Sequence, residues 1–392
     1  MAQNTFQGRS RHGLNPSLNL TDNRWICMDT ATQALLGAVV GQATFSHKLG
    51  GRALVFGALG GLLPDLDVLA VATHGPFGEF VHHRGFTHSL WFGPVIGPPL
   101  GWLIWRYYRW RGQTKPGQPG DPKVLSAWMG LMILAVLTHP LIDIFTAYGT
   151  QLLAPFSNHR TALNAVGIID FIYSGLLVLG LGVGFFLRKQ PTPRRIVAWA
   201  ALILSWSYMG YGYLLNEQAQ DTLEAEFRVQ GHSDVLVRTY PTLLFPYLRR
   251  AVVRTGDEIW VGLYTPLGGG ASHGERFKVS PPHPLVDQLK STPEGQIFEW
   301  FALGQTHARL IPTPYGTAVE IDDLRYGFPG RPERGMWGIR GGYNRTGELV
   351  EPVRRIRSGG PRALSLDALW RAMWGSPEIL FPNDENDPLG ED

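Results

Sequence analysis

The sequence predicts a multi-pass α-helical membrane domain followed by a C-terminal, β-rich extracytoplasmic domain. Three observations carry that prediction. Apolar runs recur at 90–108, 124–145, 165–187 and 196–215, each near the roughly 20 residues that cross a bilayer core. Charged residues make up only 17% of the chain, against about 25% in a soluble domain. After Asn216 the chain turns polar and breaks into short β-like runs bounded by Gly and Pro.

The resulting organisation is a helical membrane domain over 28–215 and a β-rich soluble domain over 216–381. A disordered extension over 1–27 and an acidic disordered tail over 382–392 flank them. Residues 1–24 are polar and lack the apolar core segment of a signal peptide. The runs at 31–45 and 52–63 are apolar but short. Their glycines at 37, 41, 57, 60 and 61 suit close helix packing. Pro64 stops the second run. The segment 90–108 ends in Arg106, Arg109 and Arg111, with Trp91, Trp102, Trp105 and Trp110 as interface anchors. Beyond Asn216, a short helix is expected over 217–227, and strands over 235–239, 259–264, 296–303 and 309–311.

Basic residues set the orientation. Lys48 and Arg52, the loop from Arg106 to Lys123, and the stretch from Arg188 to Arg195 all belong to the cytoplasm. Asp65, Asp67, His88, His139, Asp143 and Asp170 then fall toward the opposite face. The C-terminal domain is exported to that face as well.

Composition excludes several classes. A net charge of +3 without a Lys/Arg stripe argues against nucleic acid. The single Cys27 excludes an intrachain disulfide and a cysteine metal cluster.

The chemistry gathers between Asp65 and Asp143. Imidazoles and carboxylates at the edges of apolar runs cost free energy unless paired, hydrated or metal-bound. His139 and Asp143 share a helical face at i,i+4, where they can meet one metal or orient one another. Asp65 and Asp67 cannot share a helical face. An extended turn after Pro64 would let both approach one site, or let one ligate while the other orients a histidine. His83 and His88 flank Gly85 and read as ligands, while adjacent His82 points elsewhere. Arg84 is placed to clamp a substrate oxygen or to balance the carboxylates. Thr87 and Ser89 suit capping of the next helix. Arg160 contacts either substrate or lipid phosphate. Asp170 suits a supporting role, and Asp29 and Gln33 share a helical face. The donor set favours a divalent metal, zinc first and manganese second. Asp67 is the candidate acceptor of a water proton.

These motifs resemble the bacterial inner-membrane, metal-dependent hydrolase family described as LexA-binding. The resemblance covers 28–176. It rests on Met28-Asp-Thr-Ala-Thr-Gln-Ala-Leu-Leu-Gly37, Pro64-Asp-Leu-Asp67, His83-Arg-Gly-Phe-Thr-His-Ser89, His139-Pro-Leu-Ile-Asp143, Phe145-Thr-Ala-Tyr-Gly-Thr150 and Pro155-Phe-Ser157. The family is considered distantly similar to zinc-dependent phospholipase C and P1 nuclease, which implies phosphoester hydrolysis. Carried over, the motifs imply Asp65, Asp67, His83, His88, His139 and Asp143 as metal ligands. Asp67, Arg84 and His83 are then the reacting groups. Many family members have Thr-His where this chain has Thr32-Gln33, and an amide is a poor substitute for an imidazole ligand.

The expected function is a membrane-bound metal-dependent hydrolase acting on a membrane lipid or an amphiphilic phosphoester. A transporter, or an envelope scaffold with a structural metal and a protein partner, are the alternatives.

Overall fold

The computed structural model describes residues 26–71, 74–242, 247–267, 269–329, 331–357 and 366–380. The expected acidic tail and all but the last two residues of the expected N-terminal extension lie outside them. Helix α1 (Ile26–Thr44) opens the described chain, followed by α2 (Ser46–Leu49) and α3 (Arg52–Leu62). Helices α1 and α3 meet through glycine. A Cβ on Gly37 would collide with the Gly57 carbonyl, so the two backbones touch where a larger residue would separate them.

Pro64 ends α3 and starts one 3-10 turn, Pro64–Asp67, in place of the expected extended segment. Short helices α4 (Val68–Val71) and α5 (Gly78–His82) follow, then a second 3-10 turn, Phe86–His88. Helix α6 (Phe92–Trp110) packs along α7 (Leu125–Asp143), which continues through Pro140 to its end. Among the described residues, one helical segment, 122–143, is long and apolar enough to cross a membrane by length and composition. Helix α8 (Phe171–Phe186) is apolar but shorter than the run expected over 165–187. The Asp170 side chain caps its N-terminus by accepting from Tyr173 N at 2.9 Å, which sets the late start.

Helix α9 (Pro191–Val229) is 39 residues long. It absorbs both the last apolar run and the separate helix expected over 217–227. Its first half packs against α1 and α8. Its second half buries Ala219, Leu223 and Phe227 against a sheet. That sheet is an antiparallel meander of β1 (Val235–Pro241), β2 (Arg249–Thr255), β3 (Glu258–Thr265) and β4 (Ala271–Lys278). After α10 (Pro284–Ser291) and α11 (Pro293–Phe301), a second meander orders β5 (Thr306–Thr313), β6 (Gly316–Asp323), β7 (Trp337–Asn344) and β8 (Leu349–Arg357). Helix α12 (Leu366–Met373) follows.

The strand expected over 296–303 is a correction: residues to Phe301 belong to α11. Pro293 stands at its first turn, and the Thr292 hydroxyl accepts from Gly295 N at 3.0 Å. Phe298 and Phe301 then fall on one buried face at i,i+3.

The bundle has two unlike ends. Arg195 reaches the Ala43 carbonyl at 3.1 Å, and Arg52 lies over the Tyr108 ring at 5.5 Å, so basic residues of several helices share one end. The other end carries the two 3-10 turns and the β region. There Arg249 enters from β2 and donates to the carbonyls of Asn164, Ala165 and Gly212. Arg325 donates to the Ala147 carbonyl at 2.9 Å.

Candidate metal centre

Four side chains from three separated stretches converge at the non-basic end of the bundle. The first 3-10 turn supplies Asp65, the second supplies His88, and the last turn of α7 supplies His139 and Asp143. His139 Nε2 lies 3.0 Å from His88 Nε2 and 3.3 Å from Asp65 Oδ1. His88 Nε2 lies 3.6 Å from Asp65 Oδ1 and 3.3 Å from Asp143 Oδ2. Asp143 Oδ2 is 3.6 Å from His139 Nε2.

The far side of each ring is already engaged. His139 Nδ1 lies 2.6 Å from the Gly61 carbonyl, to which it can only donate. His88 Nδ1 lies 3.2 Å from Asp67 Oδ2. The neutral tautomers therefore aim two Nε2 lone pairs at each other and at two carboxylates. Asp143 Oδ2 is buried and accepts no hydrogen bond. A buried carboxylate oxygen with no hydrogen bond, facing imidazole lone pairs, suits a positive centre. Four donors around a tetrahedral ion with bonds of about 2.0–2.1 Å stand about 3.3–3.4 Å apart. The five separations above bracket that spacing. Asp65, His88 and His139 can together hold a divalent cation, and Asp143 Oδ2 lies beside both imidazoles, 3.3 Å from His88 Nε2 and 3.6 Å from His139 Nε2.

Electrostatics point the same way. Asp65, Asp67 and Asp143 bring three carboxylates, and the Arg84 guanidinium, 3.4 Å from Asp143 Oδ2, offsets one. Burial opposes ionisation of Asp65, but its contacts with His139 and His88 outweigh it and hold the carboxyl below the usual range. Burial likewise disfavours a charged His88. The hydrogen bonds to Asp65 and Asp67 dominate, and its imidazole is raised to about 9. A proton on His88 and a cation at its Nε2 are thus alternative answers to the same negative charge.

The other candidates take varied places. Asp67 stands one step back, joining His83 Nδ1 at 3.0 Å, Arg84 N at 3.0 Å and Thr87 Oγ1 at 3.2 Å, besides His88. Asp65 and Asp67 thus address opposite nitrogens of one imidazole, which spacing two in a 3-10 turn permits. His83 is partly exposed and packs edge-on against Tyr148 at 5.5 Å. It does not join the four convergent groups. Arg84 is buried, bonded to Thr146 Oγ1 at 2.7 Å, and lies over the Tyr148 ring. It therefore balances Asp143 inside the protein. His82 turns away and pairs with His74 at a ring distance of 4.1 Å.

Three expectations are corrected. Thr87 does not cap α6; its hydroxyl serves Asp67 and His88 Nδ1. Arg160 is not a surface cation. It is buried, donating to the carbonyls of Phe80, Tyr148 and Gly149 and stacking on Trp300. Asp170 caps α8 and accepts from Tyr208, with no bond to the four ligands. The side chain of Asp29 lies outside the described residues.

Gln33 proves informative. Its Nε2 donates to Asp143 Oδ1 at 2.9 Å, so the amide orients the carboxylate beside the two imidazoles. Tyr148 and Thr146, which both meet Arg84, carry no charge that marks them in the sequence. Their one signal was position, within the Phe145–Thr150 motif that follows the α7 ligands.

The fold and site define a helical-bundle protein with a buried carboxylate–imidazole centre and an appended β region. Residues 28–219 match the family described as YdjM inner membrane protein. The chain is 33% identical over 131 residues to the inner membrane protein YbcI of Escherichia coli (strain K12), covering 33% of this chain and 68% of that protein. It therefore belongs to this inner-membrane family. It is also 33% identical over 158 residues to the uncharacterized protein YfhP of Bacillus subtilis (strain 168), covering 37% of this chain and 43% of that one. This chain thus spans less than half of YfhP. No solved structure matches significantly.

Proposed function

We propose that this protein is a multi-pass inner-membrane hydrolase dependent on a divalent metal, zinc before manganese, acting on a phosphoester or lipid. The observation that carries the reading is the set of five N/O separations around a buried, unsatisfied Asp143 Oδ2. Two imidazoles and two carboxylates suit zinc; a carboxylate-rich surround keeps manganese open.

Asp65, His88, His139 and Asp143 would hold the ion. When bound there, it would supply Lewis acidity toward a phosphoryl oxygen and toward a water proton. Asp67 fixes the His88 ring through Nδ1 and holds His83 in the same way. His83, with its second nitrogen uncommitted to Asp67 and its ring partly exposed, accepts the proton as attack proceeds. Asp67 is a poor proton acceptor itself. Although burial favours its neutral form, hydrogen bonds to His83 and His88 hold the carboxyl below the ordinary range. Gln33 and Arg84 keep Asp143 in place. A site at one end of the bundle, not halfway along it, favours a hydrolase over a transporter.

Helices α6, α7, α8 and the first part of α9 would span the bilayer. The basic end faces the cytoplasm, with the centre and β region outside. Purified protein should carry about one zinc per chain and turn over a phosphoester. Both should vanish in His139→Ala and His88→Ala. A metal-free protein whose turnover is indifferent to both substitutions would sink the proposal.

A further inference from the structure

Exposure of the centre is uneven. The His88, His139 and Asp143 side chains are 0%, 1% and 2% exposed, while Asp65 is 15% exposed. The mouth therefore opens beside Asp65, and the residues around it decide what enters. They are apolar. Leu66 and Leu69 flank the Asp65/Asp67 turn, Phe86 opens the His88 turn, and Trp91 and Phe156 follow; all five are exposed. The turns that carry them are packed together, since Thr87 bonds Asp67 and Leu90 N donates to the Leu152 carbonyl at 3.0 Å.

Large apolar groups around a polar, cation-competent mouth are unfavourable in water. Here they continue the exposed apolar face of α6. Trp91 meets Phe156 edge-on at 5.9 Å, and Phe86 meets Phe92, the first residue of α6, at 5.8 Å. From Trp91 the exposed face of α6 runs on through Val95 to Trp102 and Leu103. The rim of the mouth therefore runs into this exposed apolar stripe.

We infer that the mouth is loaded from the bilayer, by a phospholipid of the surrounding leaflet. Its phosphate lies at the Asp65 side of the centre, and its acyl chains cross the rim formed by Leu66, Leu69, Phe86, Trp91 and Phe156. The chemistry of the head group rests on the hydrolase reading; the acyl contact does not.

The full-length protein, zinc-loaded in nanodiscs of phosphatidylethanolamine and phosphatidylglycerol, is irradiated with a phospholipid carrying a diazirine near the glycerol. Adducts are mapped by mass spectrometry. They should fall at 65–69, 86–92 and 153–156, besides the outer faces of α6 and α8. Phe86→Ser/Phe156→Ser should lower the rim adducts about fivefold or more while α8 stays labelled. Labelling confined to α6 and α8 overturns the inference. Where phosphoester turnover is found, the same double variant should lower kcat/KM for a long-chain substrate about tenfold more than for a short, water-soluble one. Equal losses would also overturn it. Rim labelling without any turnover supports the lipid mouth and removes the hydrolase reading, so the two fail separately.

Discussion

Two buried charge clusters in this molecule make an instructive pair. In the β region, Arg309 meets Glu320 at 2.8 Å and Asp322 at 3.0 Å, and Arg340 meets Glu320 at 2.9 Å. Asp323 and Arg325, both fully buried, pair at 2.7 Å. Each acid there has a guanidinium, and the cluster is complete in itself. In the helical region three carboxylates share one guanidinium, and imidazole lone pairs point into the gap. The first arrangement serves packing. The second leaves room for a cation, because its buried negative charge is costly unless a proton on His88 or a metal ion offsets it.

The largest way to test that contrast is to unbalance the complete cluster. Arg325→Met leaves Asp323 buried and unpaired, and should cost about 3–5 kcal/mol of stability. Thermal unfolding measures the loss, and zinc per folded chain should be unchanged. In the incomplete cluster, Asp143→Asn should weaken zinc about 100-fold with a smaller effect on folding, read by competition with a chelating dye. A large fall in Tm with full zinc affinity would invert the distinction. Asp67→Asn, acting through the His88 ring, should weaken zinc about 10-fold. Gln33→Leu, which removes one donor from Asp143, should weaken it by less, about 3- to 10-fold. An effect of Gln33→Leu as large as that of Asp143→Asn would mean that the amide binds the ion.

The smallest expected effect concerns pH and again separates the regions. Burial, with Arg309, Arg254 and Lys290 nearby, lowers the His307 imidazole of β5 from 6.5 to about 4. The unfolded chain then takes up a proton before the folded one does. Stability from this group is complete above pH 6.5 and is lost as pH falls toward 4. His307→Gln should flatten that part of the Tm–pH curve by a few degrees. A curve of unaltered slope would exclude His307 as its source.

How far the sequence could be read follows from these same residues. Asp65, His88, His139 and Asp143 stood out because ionisable groups at the edges of apolar runs demand an explanation from local sequence alone. A division of labour between Asp65 and Asp67 was one of two alternatives the sequence offered; which acid takes which part depends on the 3-10 turn that Pro64 starts and on the His88 ring, 21 residues beyond Asp67. Gln33 was visible only as a weak ligand, since its partner Asp143 is 110 positions away. Arg160 looked like a surface cation because its aromatic cage is completed by Trp300 and Phe301, far along the chain. The broad helical and β regions were legible from periodicity and punctuation. The segment 296–301 was misread because an apolar run of that length fits either a strand or a helix, and the Thr292–Pro293 start signal decides between them.

Helix α9 has a mechanical consequence. At 1.5 Å per residue its 39 residues extend about 58 Å, nearly twice a hydrocarbon core of about 30 Å. Because Ala219, Leu223 and Phe227 grip the first sheet while the first half packs with α1 and α8, one continuous rod ties the helical bundle to the β region. Any shift of its first half against α1 and α8 is therefore felt at that sheet, which makes the packing of the helices a mechanical input to the β region.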